Sequence, residues 1–124
     1  MRILVVDDDY VSRVKLKALL SPYGDVDAAP DGDIGLKMVE SAILDRIPYD
    51  LVTVDIDMPG TRGPQVVQQI LESDREKVTK ILTITHIREV REISDSLWEG
   101  ADLCLGKPIT SESLRDALGK IGLI

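Results

Sequence analysis

The 124-residue sequence has no phenylalanine, one cysteine and one histidine. A single cysteine excludes an intramolecular disulfide, and with a single histidine it excludes a zinc site built from those two residue types. Aromatic residues are only 3% of the chain, so the core has to be assembled from Val, Ile, Leu and Ala. No apolar run approaches the roughly 20 residues of a membrane-spanning helix, and the N-terminus does not follow the plan of a signal peptide. A soluble cytoplasmic domain without a membrane partner is expected. Positive charge is also scarce, with 15 Lys and Arg against 22 Asp and Glu and a net charge of −7. Phosphate backbones call for clustered Lys and Arg, so direct nucleic-acid binding is not expected, whereas cation binding is compatible with this balance.

What the chain does have is a set of short apolar runs that end in acids. Leu51-Val52-Thr53-Val54 suits a strand buried on both faces. It meets Asp55, with Asp57 and Met58-Pro59-Gly60 directly behind, and proline cannot continue a central strand. Asp55 is therefore expected where a core strand runs out. Met1–Val6 repeats the plan, ending in Asp7-Asp8-Asp9.

Between these runs the pattern turns helical. Tyr10 to Leu20 places Leu16, Leu19 and Leu20 at i, i+3, i+4 before Ser21-Pro22-Tyr23-Gly24 ends the helix. Asp25–Ala29 is a short strand candidate toward an edge, and a second helix is expected from about Asp33 to Leu44. After Gly63-Pro64 a third helix runs through Val66, Val67, Ile70 and Leu71. Lys80–Thr85 is a further strand, with a helix expected from about Ile87 to Glu99 and Gly100 as its stop. Leu103-Cys104-Leu105 is the last short strand, before Gly106-Lys107-Pro108. Ser111 is the expected cap of a final helix carrying Leu114, Leu118 and Ile121.

Five strands alternating with five helices predict a single doubly wound α/β domain over residues 1–124, its parallel sheet covered on both faces and each crossover right-handed. In such sheets ligands bind outside the carboxyl ends of the strands. Asp7 and Asp8 follow the first strand, Asp55 the third and Lys107 the fifth, while Thr85 ends the fourth. One rim should collect them all.

Three gathered carboxylates repel one another, and without a cation at least one pKa should rise. Oxygen ligands alone suit Mg2+, Mn2+ or Ca2+ rather than zinc or copper. Lys107 adds a compact positive charge and Thr85 a hydroxyl donor. A carboxylate can itself be the nucleophile and form an aspartyl phosphate, and these neighbours are the parts that stabilise a phosphoryl group. Taken singly, each signal has a plainer reading: Asp7-Asp8-Asp9 as helix capping, Asp57-Met58-Pro59-Gly60 as a turn.

On Ile3-Leu4-Val5-Val6-Asp7-Asp8-Asp9, Asp55-x-x-Met58-Pro59-x-x-x-Gly63, Thr85, Gly100-Ala101-Asp102 and Lys107-Pro108, the chain resembles a chemotaxis-Y-like response-regulator receiver domain of two-component signalling. The resemblance covers essentially the whole chain. It implies a flavodoxin-like five-stranded sheet in the order 2-1-3-4-5. It also implies a phosphoprotein that is a signalling module and not an enzyme. Asp55 would accept a phosphoryl group from a sensor histidine kinase or a histidine phosphotransfer protein. Asp8, Asp55 and the main-chain carbonyl of Asp57 would ligate Mg2+, with Asp7 reaching it through water. Lys107, next to a bond to Pro108 that is usually cis in the family, would pair with the phosphoryl group, and Thr85 would swing to hydrogen-bond it. Output would pass through the face made by the 87–99 helix, the last strand and the last helix, where Trp98 and Cys104 lie. That face would bind a downstream effector or an attached output domain, or a second copy on phosphorylation.

Three positions depart from the family pattern. Cys104 stands where many members have a Tyr or Phe that reports the Thr movement. His86 follows Thr85 where a small residue is common, and its ring is expected to lean over the rim as a gate on the approach to Asp55. Ile109 replaces a frequent Phe. Two other readings use the same residues. One is a receiver-like docking module that is never phosphorylated. The other is a Mg2+-dependent phosphatase of the haloacid-dehalogenase type, which Asp55-Ile56-Asp57 matches locally, although in that superfamily the motif lies on the first strand. Within these residues there is no DNA-binding output domain.

Overall fold

The apolar runs form strands and the periodic stretches form helices in a computed structural model that describes residues 1–58, 63–86 and 100–124. The strands are β1 (Arg2–Val6), β2 (Asp25–Ala29), β3 (Leu51–Asp55), β4 (Lys80–His86) and β5 (Leu103–Lys107). The helices are α1 (Tyr10–Leu20), α2 (Gly32–Leu44), α3 (Gly63–Ser73) and α4 (Ser111–Lys120), with a short 3-10 turn at Ser21–Tyr23. The helix expected over 87–99, and Trp98 with it, lies outside the described residues.

All five strands are parallel, in the order β2-β1-β3-β4-β5. The chain steps outward from β1 to β2 and then returns to place β3 on the other side of β1, so the order reverses between β1 and β3. That is where an open α/β sheet leaves a crevice beyond its carboxyl ends.

Alternation along β1 divides the core into two layers. Ile3 and Val5 pack with Leu16 and Leu20 of α1 and Leu114 and Leu118 of α4. Leu4 and Val6 face the other way, against Val39 and Ala42 of α2 and Val66, Val67 and Ile70 of α3. Burying each such side chain contributes roughly 1.5–3 kcal/mol, and no Phe is needed to fill either layer. β2, mostly exposed, is the edge strand its sequence suggested.

Aspartates close the amino-terminal rim of the sheet. Asp50 accepts the Arg2 amide at 2.7 Å, buried Asp74 accepts those of Val78 and Thr79, and Asp102 accepts that of Ile81 at 2.7 Å. Gly100 turns into this rim at φ +90°, a conformation that glycine adopts without strain.

Four boundaries differ from expectation. β4 and β5 run to His86 and Lys107, because Thr85↔Gly106 and His86↔Lys107 continue the ladder past the apolar residues. α2 begins one residue early, at Gly32, since Asp31 caps it by accepting the Ile34 amide. The last helix is capped by Thr110, not Ser111. Thr110 and Ser113 exchange side-chain-to-amide hydrogen bonds of 3.0 Å in each direction, which Ser111 is one residue too late to make.

Candidate functional site

The carboxyl-terminal rim collects the residues expected there. Asp55 is the last residue of β3 and 4% exposed. Its Oδ1 accepts the Asp57 amide at 2.8 Å and its Oδ2 accepts Lys107 Nζ at 3.0 Å, from the end of β5. Carboxylate oxygens of Asp7, Asp8 and Asp55 lie within 4.8 Å of one another.

The three acids after β1 divide their work. Exposed Asp9 is the cap of α1, its Oδ2 accepting the Ser12 amide at 3.1 Å and the Ser12 hydroxyl at 2.7 Å; these bonds hold its carboxyl below the usual range. Asp8 is the exposed member of the trio that converges with Asp55. Asp7 is buried, and its Oδ1 accepts the Asp9 amide at 2.9 Å while Arg13 donates to its main-chain oxygen at 2.8 Å. Among the described residues its other oxygen, Oδ2, has no hydrogen-bond partner. The raised pKa expected of a gathered trio falls on Asp7, which is pushed up to about 6. Burial is the first cause, and the neighbouring charge of Asp55 adds to it against the opposing Asp9 amide and Lys107. Lys107 shows the converse balance. Burial pulls its ammonium down, but Asp55, Asp7 and Asp57 outweigh that and leave it above its ordinary value.

Thr85 is fully buried in β4, and its hydroxyl donates to Asp57 Oδ1 at 2.8 Å. Asp57 Oδ2 accepts the His86 amide at 3.2 Å and stands 3.8 Å from Lys107 Nζ. The receiver resemblance implied a role only for the main chain of Asp57; the reach of its carboxylate to Thr85, His86 and Lys107 depends on the β4–β5 register and has no signal in the local pattern. His86 does lean over the rim. Its Nε2 is 3.5 Å from Asp57 Oδ2, with the side chain 64% exposed. It also borders a cavity of about 360 Å3 between α1 and the end of β5, shared with Asp7, Leu16, Lys107 and Ile109. Cys104 lies on β5 beside Thr83, and burial, helped by the charge of Asp57, raises its thiol pKa. The Lys107–Pro108 bond is cis.

Gly63 has a packing reason. A Cβ there would lie 2.8 Å from the Ile56 Cα and 3.3 Å from the Asp55 carbonyl oxygen, so α3 seats directly against the main chain that carries Asp55.

The donor set fits a hard divalent cation. All its atoms are oxygens, three carboxylates converge, and one buried oxygen lacks a partner among the described residues. Around it stand an ammonium, a hydroxyl and a main-chain amide, which together can stabilise an anion.

The model of the response regulator receiver domain family matches residues 3–119. Chemotaxis protein CheY-3 of Vibrio cholerae is 30% identical over 123 residues, covering 98% of this chain and 91% of that protein. The transcriptional regulatory protein DltR of Streptococcus agalactiae is 34% identical over 115 residues, 92% of this chain but 48% of its own length, so the chain spans about half of that relative. Among solved structures, the response regulator TrrA of Thermotoga maritima, in complex with Mg2+ and BeF, superposes with a TM-score of 0.78 at 32% identity over 97% of each chain.

Proposed function

Because the chain belongs to the response regulator receiver domain family of two-component signalling, we propose that residues 1–124 act as one phosphoacceptor switch with Asp55 as its acceptor. A carboxylate oxygen of Asp55 attacks the phosphorus of a donor phosphohistidine. The new O–P bond forms as the N–P bond breaks, and the imidazole leaves with its electron pair. The observation that carries this reading is the buried Asp55 carboxylate, held 3.0 Å from Lys107 and beside Asp7 and Asp8.

Asp8, Asp55 and the Asp57 carbonyl would hold Mg2+, with Asp7 in reach through water; when bound, the ion compensates the carboxylate and phosphoryl charges. Lys107 pairs with a phosphoryl oxygen and Thr85 donates its hydroxyl to another. The donor is a sensor histidine kinase or a histidine phosphotransfer protein. Exposed Tyr10, Val11 and Val14 at the start of α1, directly after the acidic rim, offer it an apolar landing strip. His86 gates the approach to Asp55. The domain is a switch and not a turnover enzyme, and it works in the cytoplasm; among the described residues no helix is long and apolar enough to cross a membrane. Output passes to an effector, an attached domain or a second copy through the face that includes Cys104 of β5.

With Mg2+ and acetyl phosphate, intact-mass spectrometry should find one added phosphoryl group that is stable in acid and labile in base. Asp55→Asn should abolish it. Folded protein that gains nothing would refute the phosphoacceptor reading and leave a docking module.

A further inference from the structure

Asp57 makes contacts that a turn aspartate does not need. Its own amide is tied to Asp55 Oδ1 at 2.8 Å, which pins the turn and aims the side chain back across the strand ends. The carboxylate is 18% exposed. It takes the Thr85 hydroxyl at 2.8 Å and the His86 amide at 3.2 Å, and faces Lys107 Nζ at 3.8 Å. A hydroxyl, a main-chain amide and an ammonium are the donors of an oxyanion site. Two of them, Thr85 and Lys107, are the groups assigned above to the phosphoryl group.

We infer that the Asp57 carboxylate is a resident occupant of the phosphoryl subsite, a built-in anion that holds the Thr85 hydroxyl and faces Lys107 until a phosphoryl group evicts it. The inference rests on the reading of Asp55 as the phosphoacceptor. Thr85 Oγ1 and Lys107 Nζ cannot serve two anions in the same place, and a phosphoryl group on Asp55 brings two negative charges against a third. Loading therefore requires the Asp57 side chain to turn away, and loss of the phosphoryl group lets it return. The Thr85 hydroxyl is already engaged by an anion before loading, so the switching event is its change of partner. Eviction also strips the His86 amide of its acceptor, which places the first disturbance on the end of β4. That route to output does not pass through Cys104.

Asp57 acts through Thr85 and Lys107 and is a positioning residue. The test compares the wild-type 124-residue chain with Asp57→Asn, which removes the charge, and Asp57→Ala, which removes the acceptor as well. Both leave the main-chain carbonyl in place. Two quantities are read: the dissociation constant of beryllofluoride with Mg2+ by calorimetry, and the initial rate of loading from acetyl phosphate by intact mass, each at low and high ionic strength. Both variants should bind beryllofluoride about tenfold more tightly and load about tenfold faster, and the Asn effect should shrink in high salt as the charge is screened. A turn-stabilising aspartate would move neither the affinity nor its salt dependence in that direction. Wild type that loads while both variants load at its rate or more slowly would overturn the inference and leave Asp55 as phosphoacceptor. Failure of all three to load, with cooperative melts showing them folded, would overturn the phosphoacceptor reading and this inference with it.

Discussion

Asp7 stores a cost that can be measured without any partner. Its carboxyl lies at about 6 in the fold against an ordinary 3.8, with burial as the leading cause. The fold thus favours the protonated form. Below about pH 4 Asp7 is protonated in both folded and unfolded chains and costs nothing. Above about pH 6 it is ionised in both, and the whole penalty is present. The contribution of this group to stability therefore falls as pH rises between those limits, by about 3 kcal/mol for a shift of this size.

Asp7→Asn removes the ionisation and keeps the shape. The amide oxygen still accepts the Asp9 amide, and the new N–H2 takes the place of an oxygen that has no hydrogen-bond partner among the described residues and lies close to Asp55. In chelator at pH 8 the variant should melt on the order of 10 °C higher than wild type, since each kcal/mol moves a domain of this size by roughly 3–6 °C. At pH 4 the two should melt together. Adding Mg2+ at about ten times its dissociation constant should then raise the wild type by roughly 1.4 kcal/mol at pH 8 and the variant by much less. Circular-dichroism melts at pH 4, 6 and 8, with chelator and with Mg2+, measure all of this. Parallel chelator profiles for the two proteins across that range would refute the reasoning, because the difference between them isolates Asp7.

Two further substitutions probe the approach to Asp55 and its support. His86→Ala removes the exposed ring beside Asp57 and should speed both loading from acetyl phosphate and loss of the phosphoryl group; slower loss with unchanged loading, followed by mass spectrometry, would make the imidazole a base and not a gate. Gly63→Ala places a methyl group 2.8 Å from the Ile56 Cα, and since main chain gives way poorly it should cost about 1–3 kcal/mol in a denaturant titration and slow loading at Asp55; an unchanged midpoint would show that α3 does not brace this segment.

The rim was legible because parallel alternation puts every strand's carboxyl end on the same side. Once Leu51–Val54 and Ile3–Val6 read as buried strands, Asp55 and Asp7 had to lie together, and the β-branched run into Thr85 and the short run before Lys107 completed the set. The raised pKa was legible in its existence but not in its cause or owner. Like-charge repulsion predicts a raised pKa somewhere in the trio, whereas the leading cause at Asp7 is burial, which only the packed structure supplies. The partners of the Asp57 carboxylate could not be read, because they come from β4 and β5. Thr110 and Ser111 are both cap-forming residues, and the choice between them turned on the reciprocal bond with Ser113.

An acidic chain does not by its charge identify a site, and the aspartates here show how bond accounting does. Those at strand starts are used by the fold: Asp50, Asp74 and Asp102 each accept main-chain amides that would otherwise be left bare. Asp9 and Asp31 meet the same need at the starts of α1 and α2. Asp27 accepts the Tyr49 hydroxyl at 2.7 Å and faces Arg2. Each of these carboxylates lowers the free energy of the bare fold by satisfying a donor. Asp7 does the opposite with one of its oxygens, and it does so where Asp8 and Asp55 add like charge within 4.8 Å. A fold keeps a buried, half-satisfied carboxylate at that cost when a bound cation makes up the difference. The aspartates at the strand and helix starts are therefore structural, and the underused Asp7 marks the rim at which ligands act.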